Sequence, residues 1–308
     1  MLQALRNSRN YVAYVFMLPA MAVLVLGLIV PLYNAVELSF YDWSMGTPWE
    51  SKEFIGLDSY QRMLGDGAVL QSLGVTLRYT FWVLVTEMIL GVALAFLLEK
   101  PVRGAAVFRT IFILPLMVSP VAVGLIWRYL YDARIGLINH FLEAIGKAAP
   151  FLQPLGFTRQ LWLADPNMAL TSIIITDIWQ WTPFIFIIVL AGLQSLPAEI
   201  TEAAIIDGAN WFQIIVRVKL PMIRTIIMVT LLLRIIDVFR ALEVIYTMTF
   251  GGPGLSTEVL SLHIYKTAFT AQQLGYASTI ATLLMVIILI FTILVLLYQN
   301  PLKERADF

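Results

Sequence analysis

The chain has 308 residues, 60% of them hydrophobic and 13% charged, with 20 basic and 20 acidic side chains and no formal net charge. Soluble domains carry about 25% charged and about 45–50% apolar residues, so the composition excludes an ordinary soluble protein, and the charge balance excludes nucleic acid as a partner. The absence of cysteine excludes disulfides, thiolate chemistry and cysteine-ligated metal, and the two histidines, His140 and His263, stand far apart and receive no role.

Six stretches reach the roughly 20 apolar residues needed to cross a bilayer; they lie near 12–32, 75–98, 111–131, 169–193, 223–245 and 278–298. The first follows a basic leader, Arg6 and Arg9, and contains Pro19-Ala20-Met21-Ala22, which imitates a secretory signal. Its apolar run exceeds the about 7–15 residues of a signal peptide, so it is expected to remain as an uncleaved span. The next segment, 33–74, is acidic, with Glu37, Asp42, Glu50, Glu53, Asp58 and Asp66. This segment and 132–168 are rich in Gly, Pro, Trp and Tyr, which suits short interfacial helices, with Trp43, Trp49, Trp127 and Trp162 placed for a membrane–water belt.

The second span contains Arg78 and Glu87, for which the sequence supplies no partner. Pro115 and Pro120 interrupt the third span and Pro183 the fourth; each removes a helical hydrogen bond, which a bundle tolerates. Basic residues cluster at alternate connections: Lys100, Arg103 and Arg109, then Arg217, Lys219 and Arg224, then Lys303 and Arg305. Both termini are therefore expected in the cytoplasm. No soluble domain and no internal repeat stands out, so residues 1–308 are expected to form a single transmembrane domain.

Two spans carry polar groups that a purely structural helix would avoid. The fourth offers Asp177, Gln180, Trp181 and Phe184 beside Pro183, aromatic faces for sugar rings and polar groups for hydroxyls. The fifth carries Arg234, Asp237, Arg240 and Glu243 at intervals that share a helix face. An ionisable group at the bilayer centre costs at least ~2.5–3.5 kcal/mol, so such groups pair or face a cavity. Two readings stay open: structural pairs of Asp237 with Arg234 and with Arg240, or a wet path that touches solute. Arginine suits oxyanions, so an anionic solute stands beside a neutral one, although pairing with Asp237 would cancel the attraction.

The connection 195–222 is expected to be cytoplasmic. Ser195 is placed to cap a helix with Pro197 in its first turn. That helix continues through Asp207, Gly208 ends it with a left-handed residue, and Asn210 begins a second short helix reaching Pro221. Ala203, Ala204 and Gly208 let another surface approach the backbone, with Glu202 and Asp207 as charged edges. An ordinary amphipathic connector would have the same composition.

The spacing is more informative. Glu202-Ala203-Ala204, three residues, Gly208, nine residues, Val218, one residue and Leu220-Pro221 resembles the signature loop of permease subunits of binding-protein-dependent ABC importers, with valine where that family more often has isoleucine. Four further segments are similar to the sugar-permease branch with maltose-type members: Ile55-Gly56-Leu57-Asp58-Ser59-Tyr60, Phe108-Arg109-Thr110-Ile111-Phe112-Ile113-Leu114-Pro115, Gly136-Leu137-Ile138-Asn139 and Gly251-Gly252-Pro253. The resemblance runs from about residue 11 to about residue 300.

The resemblance implies an all-α integral membrane protein of the ABC importer type I permease fold, with six transmembrane helices, in a bacterial cytoplasmic membrane. It implies a coupling loop that docks on a cytoplasmic ATPase, carried onto Glu202, Ala203, Ala204, Asp207, Gly208, Leu220 and Pro221. It places solute at the fourth and fifth spans, where Asp177, Gln180, Trp181, Phe184, Arg234, Asp237 and Arg240 are the candidate path. The implied partners are a second permease, two copies of an ATPase, an extracytoplasmic solute-binding protein and membrane lipid. The sequence has no Gly-x-x-x-x-Gly-Lys-Ser/Thr phosphate loop, so ATP and Mg belong to the partner ATPase, and no cofactor or catalytic residue is expected here. The rivals are an ion-gradient-driven secondary transporter and a membrane enzyme; for the latter no nucleophile–base set is visible.

Overall fold

The computed structural model describes residues 16–99 and 104–299, which are mostly helical. Residues 12–15 of the first expected span, and Arg6, Arg9, Lys100, Arg103, Lys303 and Arg305 used for orientation, lie outside the described residues. The chain separates into two compact units, Met1–Asp66 with Ile264–Leu283, and Gly67–His263 with Leu284–Phe308.

In the first unit, α1 (Phe16–Leu38) is apolar on every side, and none of its apolar stretch is buried. A helix of this kind needs lipid or protein all around it. Beyond it, a two-residue antiparallel pair, β1 (Tyr41–Asp42) with β2 (Glu53–Phe54), leads to α2 (Asp58–Gly65). Ser39 is buried and ties this unit together through hydrogen bonds. Its hydroxyl donates to the Val36 carbonyl at 2.6 Å and lies 2.6 Å from the Tyr60 hydroxyl, while its carbonyl accepts from Thr279 at 3.0 Å. Tyr60 closes the Ile55–Tyr60 segment, whose Gly56 takes a positive φ of 57°. Lys52 bridges to Glu37 at 3.0 Å and sits over the rings of Tyr41 and Trp49. Trp43 meets Trp49 edge-on, so both tryptophans expected in a lipid belt also pack within the fold.

The second unit is built on α3 (Gly67–Leu97) and α7 (Pro166–Gln194), which form the most extensive helix pair. At ~1.5 Å per residue each exceeds the ~30 Å hydrocarbon thickness. Their close approach depends on Gly91, where an added Cβ would lie 2.6 Å from Ile185 Cγ2. The start of α7 is set by Asp165, whose carboxylate accepts from the Asn167 backbone at 2.8 Å, and by Pro166 in the first turn.

Between these helices run α4 (Ala105–Ile113), α5 (Pro120–Leu130) and α6 (Leu137–Ala148). After α7 come α8 (Ala198–Ile206), α9 (211–222, with a wide-turned middle at Ile214–Lys219), α10 (Arg224–Phe239) and α11 (Glu243–Met248). Two more helices, α12 (Leu260–Tyr265) and α13 (Leu274–Gln299), follow among the described residues. Among the described residues, α1, α3, α7 and α13 are each long and apolar enough to cross a membrane.

The third and fifth expected spans are not continuous rods. Segments 106–117 and 120–130 are bent by 100°, because proline disfavours helical geometry in the residue before it. Ser119 accordingly has an extended ψ of 144°, and it caps α5 by accepting from the Ala122 backbone. The fifth span stops at Phe239, and the chain leaves helical geometry at 240–242 before α11 begins. The carbonyl of Ala241, released by this break, accepts from the Ser261 hydroxyl at 2.5 Å. Glu243 therefore opens a new helix instead of extending a single stripe from Arg234.

Asn139 organises the segment between α5 and α7. Fully buried, it donates to the Gln160 carbonyl at 2.9 Å and accepts from the Gln160 backbone and the Trp162 indole at 3.0 Å each. The polar edge of Trp162, expected at a lipid boundary, is thus used inside the fold.

Candidate functional site

Three helices of the second unit bring one cation and three carboxylates together. Arg234 of α10 donates from Nε and Nη2 to both oxygens of Glu87 on α3, at 2.8 and 2.9 Å. Its Nη2 also reaches Asp177 of α7 at 2.8 Å, and its Nη1 pairs with Asp237 one turn along α10. Tyr79, two turns before Glu87, donates its hydroxyl to the second oxygen of Asp177 at 2.5 Å. The Trp181 ring, four residues after Asp177, lies 4.8 Å from the guanidinium carbon of Arg234. The Arg234 and Glu87 side chains are 1% and 0% exposed, whereas that of Asp237 is 52% exposed.

Desolvating one such charge costs several kcal/mol, and only good geometry with further hydrogen bonds offsets that cost. The fork of Arg234 supplies that geometry by meeting Glu87 bidentately. Arg234 is consequently committed to protein carboxylates and is poorly placed to receive an anion. A cavity of about 250 Å³ opens beside the cluster, lined by Asp177, Trp181, Asp237, Arg240 and Glu243, with Pro120 at its wall. It is smaller than the ~300–1,000 Å³ of most small-molecule pockets. Arg240 is the cation lining it.

Of the candidate path residues, Asp177, Trp181, Arg234, Asp237 and Arg240 are brought together here. Gln180 is turned away, donating its amide to the Val118 carbonyl at 3.2 Å, at the break between α4 and α5. Phe184 stands edge-on to Trp181, with ring centroids 6.2 Å apart, and packs on the apolar α3–α7 cluster instead of lining the cavity. Of the two pairings open to Asp237, the one with Arg234 forms, and the one with Arg240 is not among the ion pairs of the described residues. Glu87 and Tyr79 went unassigned in the sequence. The available signal was Glu87 itself, an acidic residue in a long apolar helix that must find a partner.

The second candidate site is the segment 195–222. Ser195 closes α7, donating to the Gly192 carbonyl at 2.8 Å, and the residue preceding α8 is Pro197 with an extended ψ of 133°. The expected serine cap is therefore replaced by proline. At the other end, Gly208 has φ +80°, with its own N–H on the Ile205 carbonyl and that of Ala209 on Ala204, both at 3.0 Å. This is the Schellman arrangement, which an L side chain at the glycine position would strain. Asn210 and Gln213 then form a reciprocal capping box, each side chain accepting from the other's backbone at 2.9 Å.

Glu202, Ala203, Asp207, Gly208 and Pro221 are exposed, while Ala204 and Leu220 are half-buried. Leu220 packs against the α3–α7 apolar cluster. Around the turn the segment also exposes Ile205, Ile206, Trp211 and Phe212, with Ile206 86% exposed. Exposed large apolar side chains on a connection between spans offer an interaction surface. Sequence spacing pointed to the small and charged residues but not to these four large ones.

Residues 87–303 match a protein family described as "Binding-protein-dependent transport system inner membrane component". The chain is 32% identical over 301 residues to the "Probable ABC transporter permease protein YurN" of Bacillus subtilis, covering 97% of this chain and 99% of that protein. It is 33% identical over 292 residues to the trehalose/maltose transport system permease protein MalF of Thermococcus litoralis, covering 95% of each. A chain in the crystal structure of a bacterial alginate ABC transporter, in complex with an alginate pentasaccharide-bound periplasmic protein, superposes with a TM-score of 0.79. That pair is 22% identical and covers 94% of this chain and 93% of the other, a likeness of fold.

Proposed function

Since the chain belongs to the inner-membrane components of binding-protein-dependent transport systems, we propose that it forms one half of the gate of an ATP-driven importer of sugars or sugar-like solutes. It is a multi-pass inner-membrane protein with the all-helical type I fold of such permeases. In this reading residues 1–308 form one domain of six spans, two of them broken. It pairs with a second permease, two cytoplasmic ATPase copies and an extracytoplasmic solute-binding protein. The chain performs no catalysis; ATP and Mg are bound by the ATPase.

The observation that carries this reading is the segment 198–222: two short helices locked at a fixed angle by Gly208 and the Asn210–Gln213 box, with Ile206, Trp211 and Phe212 left open to a partner. Glu202, Ala203, Ala204, Asp207 and Gly208 form the face applied to the ATPase, and Leu220 and Pro221 join it to α10. Movement of that face reorients the spans as rigid bodies, each ligand favouring the state it contacts better.

The trehalose/maltose relative supports a carbohydrate solute, and the cavity supports a neutral one. Asp177, Asp237 and Glu243 line it against Arg240 alone, and Arg234 is held by carboxylates. Trp181 offers an aromatic face, and the small volume suits half of a path that the second permease completes. Uptake in cells tests the mechanism. It should stop when ATP is depleted and continue under an uncoupler at constant ATP; the opposite pattern would establish an ion-gradient-driven carrier.

A further inference from the structure

The end of α3 is gripped from two sides. Arg109 of α4 donates to the Leu98 carbonyl at 2.6 Å, and Lys219 of α9 forms an ion pair with Glu99. Both cations meet the negative end of the α3 dipole. The pair is largely shielded, with side-chain exposures of 11% and 20%. Among the described residues it is the only ion pair between the segment 195–222 and a spanning helix or its end.

Elsewhere the fit between the loop and α3 is loose. A cavity of about 400 Å³ separates Phe96 and Leu97 from Thr201, Ile205 and Trp211, so α8 does not rest on α3 along its length. Ile215 and Leu220 do pack on the apolar cluster that includes Ala95 and Phe96. Apolar contact is non-directional and permits sliding, whereas an ion pair holds one atom against another. Beyond the pair, α3 runs unbroken from Leu97 back to Glu87, ~15 Å of rigid helix, and Glu87 holds Arg234 bidentately.

We propose that Lys219 and Glu99 form the strut that passes displacement of the loop into α3 and, through Glu87, to the Arg234 cluster beside the cavity. The inference rests on the importer reading above. Both are positioning residues, since neither touches nucleotide or solute. An ion pair that merely anchors the loop would instead leave the ratio of solute moved to ATP hydrolysed unchanged.

The test uses the assembled importer in proteoliposomes, measuring uptake and ATP hydrolysis together. Glu99→Gln and Lys219→Gln should each assemble and hydrolyse ATP, yet lower uptake per ATP by at least about fivefold, taking as a scale the lower end of the factors by which coupled sites change one another's affinity. The exchange Glu99→Lys with Lys219→Glu should recover most of the loss. Because the chain contains no cysteine, Glu99→Cys with Lys219→Cys can be joined by a short bifunctional thiol reagent without side reactions on this chain. A strut that stays closed through the cycle predicts that uptake survives the cross-link. Four results overturn it: single variants with normal uptake per ATP; an exchange that assembles without recovery; singles that fail to assemble while the exchange assembles, which makes the pair part of the docking surface; or a cross-linked complex that hydrolyses ATP without moving solute. Should neither singles nor exchange assemble, the cross-linked complex decides. Missing ATP-dependent uptake in the wild-type complex would count against the importer reading itself.

Discussion

The cluster around Arg234 and the turn around Gly208 each hold residues in the environment that suits them least. One buries a cation and carboxylates between helices; the other exposes isoleucine, tryptophan and phenylalanine on a connection between spans. The first conflict is resolved within the chain, because α3, α7 and α10 each contribute a partner and Arg234 is fully engaged. The second has no counterpart among the described residues and calls for another surface. An unusual residue class is thus not by itself a sign of ligand contact. What distinguishes the two regions is whether the fold supplies the partner.

The sharpest way to break this contrast is to remove the cation. Arg234→Leu leaves Glu87 and Asp177 buried without a cation, with only the Tyr79 hydroxyl still on Asp177, a loss of ~3–5 kcal/mol for breaking a buried pair. Thermal unfolding in detergent should show a much lower midpoint, or the protein should vanish from the membrane; an unaltered midpoint would mean the cluster is not holding the helices. The turn should respond in the opposite way. Trp211→Ala should leave unfolding unchanged and weaken ATPase association by ~2 kcal/mol, the size of an aromatic interface anchor, read by titrating ATPase onto the purified permease. If affinity stays the same, the exposed aromatics face something else.

Gly208→Val tests geometry instead of contact, because a β-branched side chain, unlike Asn or Asp, has no local hydrogen bond to ease the φ of +80°. A left-handed backbone costs an L residue ~1–2 kcal/mol, so the α8–α9 angle should relax. Uptake should fall by about tenfold, since each ~1.4 kcal/mol is one decade, while membrane insertion stays normal. Normal transport in this variant would argue strongly against coupling through the turn. The smallest effect is expected at Arg240→Gln. With a neutral solute it should shift KM across a panel of sugars by a few-fold, ~1 kcal/mol for one hydrogen bond, with little change in kcat. A loss confined to anionic sugars would instead reinstate the charged-solute reading, and identical kinetics across the panel would make Arg240 structural.

Legibility followed the range of the forces involved. The continuous spans were visible because a long apolar run is a local property, and the loop was visible because Gly208 and Asn210 impose local backbone chemistry. The breaks were only half visible. Pro120 announces one, but its partner, the Gln180 amide on the Val118 carbonyl, lies 62 residues away in sequence. The break at 240–242 carries no proline and relies on Ser261. Arg234 and Asp237 could be paired from their spacing, whereas Glu87 and Asp177 join through helix packing that no local pattern encodes. Ser195 is ambiguous in sequence for a related reason: the same hydroxyl can cap a following helix or close a preceding one, and the extended Pro197 sets the boundary after it.

Co-reconstitution addresses the central proposal most directly. Vesicles containing this chain and its partner permease, supplied with loaded binding protein, should accumulate sugar only when the ATPase and ATP are present on the face that bears Ile206, Trp211 and Phe212. Sugar accumulation by the permease chains without any ATPase would contradict the claim that this membrane gate is driven from that turn.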